Sequence, residues 1–167
     1  MREKAEKLFD EQRPLLIVGS PACTTFSVLV HCNASRRDPE IVACERRAAM
    51  VHLAWCCKLY ARQMERGAYF LHEHPAGASS WDEACVLGIL SRSGVRRVVA
   101  DQCQLGQRTD DGSPIKKPTG FMSNATELLD VLNVRCYGRR GLCTRPSVGV
   151  HVACQGRVAR RAAIFQD

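Results

Sequence analysis

No stretch of this chain approaches the roughly 18 consecutive apolar residues that a membrane helix requires. The charged opening, Met1 to Gln12, has no apolar signal-peptide core behind it. Together these absences predict an intracellular protein with no membrane partner, nuclear if its host is eukaryotic. There is no C-x-x-C among the ten cysteines, so neither a zinc ribbon nor a thioredoxin-like redox motif is supported. Without a secretory signal, most of these cysteines are expected to be reduced, buried, small hydrophobes. No internal repeat and no low-complexity linker divides the chain. Finally, there is no Asp or Glu between Val134 and Gln166, a stretch that holds seven arginines.

What is present fits one globular domain of 167 residues, 46% hydrophobic and 25% charged. Residues 1–133 carry the periodic patterns, and residues 134–167 form an irregular, Arg-rich segment of the same domain. The net charge is +7, and 19 of the 24 basic residues are Arg. Guanidinium forks match phosphate oxygens, so DNA is the expected partner, with Arg139, Arg140, Arg160 and Arg161 as contacts. The competing reading is a solvated basic face.

Helical patterning is expected over Arg2–Gln12, stopped near Pro14, and from Pro39 to about Arg66. The apolar side of the second helix includes Ile41, Cys44, Ala48, Trp55, Leu59 and Met64. Ser80-Trp81-Asp82-Glu83 has the form of a capping box opening a third helix, and Asn124-Ala125-Thr126-Glu127 reads as the start of a fourth. Leu15–Val18, Ala68–Leu71 and Val95–Ala100 read as short strands, the first buried on both faces. Alternation of strand and helix implies an α/β fold with a mostly parallel sheet. In such sheets sites lie beyond the carboxyl ends of the strands, and those ends carry Cys23, Glu73 with its flanking histidines, and Asp101–Gly106.

Three of these blocks carry a resemblance. The loop Gly19-Ser20-Pro21-Ala22-Cys23-Thr24-Thr25-Phe26-Ser27 and the stretch His72-Glu73-His74-Pro75 resemble the catalytic blocks of DNA cytosine-5 methyltransferases. Cys103-Gln104-Leu105-Gly106 with Lys117-Pro118-Thr119 through Asn124 is similar to a third block of phage-type and mobile-element-borne relatives. The resemblance spans roughly residues 15 to 125. It implies a partial Rossmann-like methyltransferase domain, methyl transfer from S-adenosylmethionine to cytosine in DNA, Cys23 as nucleophile and Glu73 as acid. Pro21, Phe26, Ser27, His74 and Lys117 are the substrate-binding residues it implies.

The chemistry explains those residue types. A thiolate adds to cytosine carbon 6 and turns the ring into an enamine that is nucleophilic at carbon 5. A carboxylic acid at ring nitrogen 3 supplies a proton as charge develops there. The chain departs from the family pattern at Ala22, where Pro is usual, and at His74, where Asn is usual. It also carries no G-x-G loop before Cys23, so the donor-binding half is absent. A preceding segment or second chain would have to supply it, and the chain is expected to be inactive alone or a non-catalytic, nucleic-acid-binding remnant of a mobile element.

Two other chemistries use the same residue types. A cysteine hydrolase would pair Cys23 with His72 or His74 as base. A zinc deaminase is excluded, because no P-C-x-x-C exists. No metal site is expected: His72 and His74 lack companions, and the spacing of Cys136, Cys143, His151 and Cys154 matches no specific pattern.

Overall fold

The computed structural model describes residues 2–27, 37–145 and 149–154; Arg160 and Arg161 lie outside them. Helix α1 (Arg2–Gln12) ends before Pro14, as its sequence predicts. It lies along α2 (Pro39–Glu65), whose Trp55 Nε1 donates to Glu6 at 2.6 Å. Phe9 of α1 is buried under the guanidinium groups of Arg62 and Arg66, at 4.8 and 4.0 Å from its ring centroid. Asp38 caps α2, accepting a hydrogen bond from the Glu40 amide with Pro39 in the first turn. The face of α2 that enters the core carries Leu53, Cys56, Cys57 and Tyr60, at helical three- and four-residue spacing. Ile41, Cys44 and Ala48, expected on the buried side, are exposed instead, because α2 meets the core only from about Ala49 onward. Among the described residues, no helix is long and apolar enough to cross a membrane.

Four strands form one sheet: β1 (Leu16–Gly19), β2 (Tyr69–Pro75), β3 (Arg96–Asp101) and β4 (Pro118–Ser123), in the order β1-β2-β4-β3. Helices α3 (Ala84–Leu90) and α4 (Thr126–Leu132) follow β2 and β4. The fold is mixed α/β, and the expected mostly parallel sheet is corrected. Only β1 and β2 pair in parallel; β4 runs antiparallel to both β2 and β3. In the sequence Pro118–Ser123 looks like a motif, whereas it is a strand that turns back between its neighbours. Even so, β1, β2 and β3 share one direction, so their carboxyl ends gather at one edge of the sheet.

β1 is also not buried on both faces. It is an edge strand with Leu16 40% and Val18 47% exposed, and Ile17 packs on the core. A four-residue apolar run cannot distinguish a central from an edge strand. On β2 the side chains alternate: Phe70, His72 and His74 face the layer of α2 and α3, while Leu71 and Glu73 face the other way. The two expected capping motifs are spent elsewhere. Ser80 bonds His74 and Glu83 pairs with Arg46, so α3 begins only at Ala84. Asn124 pins the start of β2, its Oδ1 accepting from the Phe70 amide and its Nδ2 donating to the Ala68 carbonyl, both at 3.0 Å.

Gly19, the last residue of β1, is fixed by a close approach. A Cβ there would lie 1.8 Å from the Tyr60 hydroxyl, which is hydrogen-bonded to His72 Nδ1 at 3.0 Å. Gly19→Ala is therefore expected to destabilise the chain by about 1–3 kcal/mol through overpacking. In a Tyr60→Phe background the same substitution should be milder, because the clashing oxygen is gone. Urea denaturation of the four proteins of this cycle checks it; equal losses in both backgrounds would exclude the clash as the cause.

Candidate functional site

The two strands that carry the expected nucleophile and acid are neighbours. β1 pairs with β2 in register Gly19 to His72, so the next residues, Ser20 and Glu73, fall side by side. The Ser20 hydroxyl donates to Glu73 Oε2 at 2.5 Å. Glu73 is only 4% exposed, and its other oxygen, Oε1, has no partner among the described residues. It sits inside β2 rather than in the loop beyond, since the strand runs to Pro75 instead of ending near Leu71. Cys23 lies three residues past Ser20, half-buried, at the start of a short 3₁₀ turn (Thr24–Phe26). No hydrogen bond to its thiol is present among the described residues.

His74 ties this loop to the sheet. Its Nε2 lies 2.9 Å from the Pro21 carbonyl. A carbonyl can only accept, so Nε2 carries the proton and the bare Nδ1 accepts from the Ser80 hydroxyl at 2.5 Å. Phe26, 1% exposed, meets the His74 ring edge-on. Next to it, His72 stacks on His74 and meets Tyr60 and Trp81 edge-on. Trp81 comes close to β4 because Gly120 has no side chain; a Cβ there would be 2.6 Å from its ring. Arg97 covers the Trp81 ring at 3.9 Å.

This packing keeps both imidazoles neutral. Burial pushes His72 down to about 3, helped by its neighbours His74 and Arg97. Burial also lowers His74, to about 4, with Lys117 adding repulsion and the Pro21 carbonyl opposing the shift. Neither ring is placed as a base for Cys23. His74 has both nitrogens engaged, and His72 is buried against Tyr60, so nothing in this geometry favours the hydrolase arrangement.

The residues expected around the substrate divide accordingly. Pro21, Phe26 and His74 are buried and bonded within the protein, where they anchor the Cys23 loop. Ser27 and Lys117 are half-buried and engaged. Arg139 and Arg140 are exposed. Ser20, Ser80 and Tyr60 were missed by sequence reasoning. Ser20 alone had a signal, its place directly before Pro21 in the loop. An apolar cleft of about 400 Å³ borders the loop, between α1, β1 and α2, and Ser20 and Pro21 form part of its wall with Leu8, Trp55 and Tyr60.

A second cluster forms around the end of β3. Asp101 Oδ2 accepts from the Cys136 amide at 2.8 Å and from Arg135 Nε at 3.1 Å, drawing the segment after α4 back to the sheet. Cys136, Cys143 and His151 converge there, joined by Cys103 and not by Cys154. Burial acts to raise the Cys136 thiol, yet hydrogen bonds from the Thr144 hydroxyl and amide and the Gly138 amide outweigh it and bring it down to about 6. Of the nine cysteines described, four are buried and none is disulfide-bonded. No family model, curated protein or solved structure matches the chain.

The neutral histidines set a pH dependence. The unfolded chain takes up protons near the ordinary histidine value of about 6.5, whereas the folded one resists until about 4 or below. Between these values the unfolded state holds more protons, so stability falls as pH drops from 7 to 5. The loss at pH 5 should be on the order of 2 kcal/mol per histidine. His74→Asn should remove about half of that pH-dependent loss in urea titrations at pH 7 and pH 5. An unaltered difference between the two pH values would mean that His74 does not titrate this way.

Proposed function

We propose that this chain is a DNA cytosine-5 methyltransferase-like protein in which Cys23 is the nucleophile and Glu73 the acid. Its sheet is read as part of a Rossmann-like methyltransferase sheet. The observation that carries the reading is Glu73: a buried carboxyl, tied by Ser20 to the Cys23 loop, with one oxygen left for a ligand. A buried acceptor without a partner costs about 1–3 kcal/mol, and the edge of a pyrimidine base would satisfy it. Cys23 is half-buried, on the adjacent loop, and held by the His74 bond to Pro21.

The residues present support the first half of the reaction. The Cys23 thiolate forms a bond to carbon 6 of a cytosine taken out of its stack, while Glu73 gives a proton to ring nitrogen 3. Carbon 5 then carries enamine electron density and takes a proton from solvent. Reversal removes a proton from carbon 5, expels the thiolate and returns the nitrogen 3 proton to Glu73. S-adenosylmethionine, when bound, would supply a methyl group in place of that solvent proton. The described residues contain no Gly-rich loop after a strand to hold it, so no step is derived through the donor. The open edge of β1, with Leu16 and Val18 exposed, is where a preceding segment or second chain could extend the sheet.

Exchange at carbon 5 tests the assignment without any donor. DNA tritiated at cytosine carbon 5 should release label into water when incubated with the chain. Cys23→Ala should abolish the release, and Glu73→Gln should slow it roughly 10²- to 10⁴-fold. No release by the unaltered chain, or release that survives Cys23→Ala, overturns the catalytic roles. The nucleic-acid-binding remnant would then be the reading left.

DNA binding is proposed on the exposed Arg139 and Arg140. It should be weak, tolerant of sequence and steeply salt-dependent. Reversing both charges should flatten the plot of log affinity against log salt by about 0.9 for each phosphate that is no longer neutralised. A slope left unchanged by the reversal assigns these arginines to solvent.

A further inference from the structure

We infer that Cys103, Cys136, Cys143 and His151 form a structural Zn(II) site that fastens the basic segment after α4 to the carboxyl end of β3. Their ligand atoms all lie within 4.8 Å of one another. Cys136 Sγ is 4.0 Å from Cys143 Sγ and 3.5 Å from His151 Nε2. Tetrahedral zinc, with Zn–S of about 2.3 Å and Zn–N of about 2.0 Å, separates two sulfurs by about 3.8 Å and a sulfur and a nitrogen by about 3.5 Å. The two measured separations match both values. A disulfide needs sulfurs at about 2.05 Å, so these thiols are gathered without being joined.

The surroundings are those of thiolates. Thr144 presents its amide and hydroxyl to Cys136 Sγ, each at 3.4 Å. Gln104 Nε2 points at both Cys103 Sγ and Cys143 Sγ, at 3.6 and 3.5 Å. Donors turned toward sulfur stabilise negative charge there and orient the ligands. The approach of four ligands from three separate places is also built into the backbone. Cys103 sits in the 3₁₀ turn Gln102–Leu105 that follows β3. Cys136 is delivered by the bond from its amide to Asp101. Cys143 and His151 lie diagonally across a narrow ribbon, on either side of the Leu142–Val150 pair; the Cys143 amide donates to the Gly149 carbonyl at 2.9 Å and the His151 amide to the Gly141 carbonyl at 2.7 Å.

A three-thiolate, one-imidazole donor set in this geometry selects zinc over the hard cations, which require oxygen ligands. Two ligands are buried and two half-buried, with no open coordination position for substrate, so the site is closed and structural. Arg139 and Arg140 lie on the loop between Cys136 and Cys143, which zinc would hold in place.

The full chain, purified with zinc in the medium and no chelator, should contain one zinc per molecule by mass spectrometry of the metal. Replacement by Co(II) should give the intense visible bands of a tetrahedral ion together with thiolate charge transfer in the near ultraviolet. Cys103→Ser and Cys143→Ser should lose the metal, whereas Cys154→Ser and Cys44→Ser should keep it. Since a ligand variant could fail to fold, His151→Cys serves as the second test: it should still bind Co(II), with stronger charge transfer from a fourth thiolate. EDTA should lower the melting temperature of the original chain and leave that of Cys103→Ser unchanged. The proposal is overturned by a folded chain without zinc or cobalt bands, by iron in place of zinc, by a Cys136–Cys143 disulfide, or by loss of metal in Cys154→Ser.

Discussion

The hydrogen bonds of His74 hold the rest of the arrangement in place. This imidazole sits in the central part of the sheet, excluded from water, and donates to the Pro21 carbonyl while accepting from Ser80. A neutral ring makes two directional bonds there and carries no charge to desolvate, whereas a charged one would have to be stripped of water and would meet the charge of Lys117. The loop bearing Cys23 is therefore fixed at one end by its covalent continuation from β1 and at Pro21 by a side chain from β2. Ser80 is consumed in the same contact, and this explains why α3 starts three residues later than its capping pattern suggests. One residue choice on β2 thus sets both the position of the Cys23 loop and the start of the next helix.

Much of the fold was readable. Arg2–Gln12 and Pro39–Glu65 follow from helical periodicity and from Pro14 and Asp38 as stops and caps, since local chemistry decides such ends. Three strands were placed from short apolar runs. What failed was everything decided by partners distant in sequence. Thr119 and Phe121 look like motif residues, yet they form a strand because β2 and β3 present two open edges for them to bridge. Leu16 and Val18 look like core residues and are exposed, because no strand or helix among the described residues covers them. Ser80 and Asn124 look like helix caps, but a buried imidazole and the start of β2 compete for them.

The candidate site shows the same division. Cys23 and Glu73 could be singled out because their loops resemble two blocks of a known family, within which their chemistry makes sense. That Ser20 would link them could not, since the pairing depends on the parallel register of β1 and β2. The third block, Cys103-Gln104 with Lys117-Pro118-Thr119 and Asn124, had no mechanistic sense in the sequence. In the fold it is a set of fasteners. Gln102 Nε2 donates to Thr119 Oγ1 at 3.0 Å, Asn124 holds β2, and Cys103 reaches the segment after α4. Cys103 was passed over as a ligand because it lies 33 residues before Cys136, outside any compact spacing pattern.

The two clusters share one structural cause. β1, β2 and β3 point the same way, so Glu73, the Cys23 loop and the Asp101–Cys103 turn all arise at the same edge of the sheet. β4 makes this possible by running against them, because its return passes Lys117 back to the Gln102 amide at 3.1 Å between the Lys117 carbonyl and that nitrogen. Lys117 then stands near both His74 and Cys154, and its charge is felt at each. The described part of the basic segment, tethered at Asp101, consequently lies at the edge of the sheet that also bears the Cys23 loop. If that segment were released, the charges would remain but their direction would be lost. Its tether therefore lies at the same edge of the sheet as the Cys23 loop, although no residue of the Cys/His cluster lies in that loop.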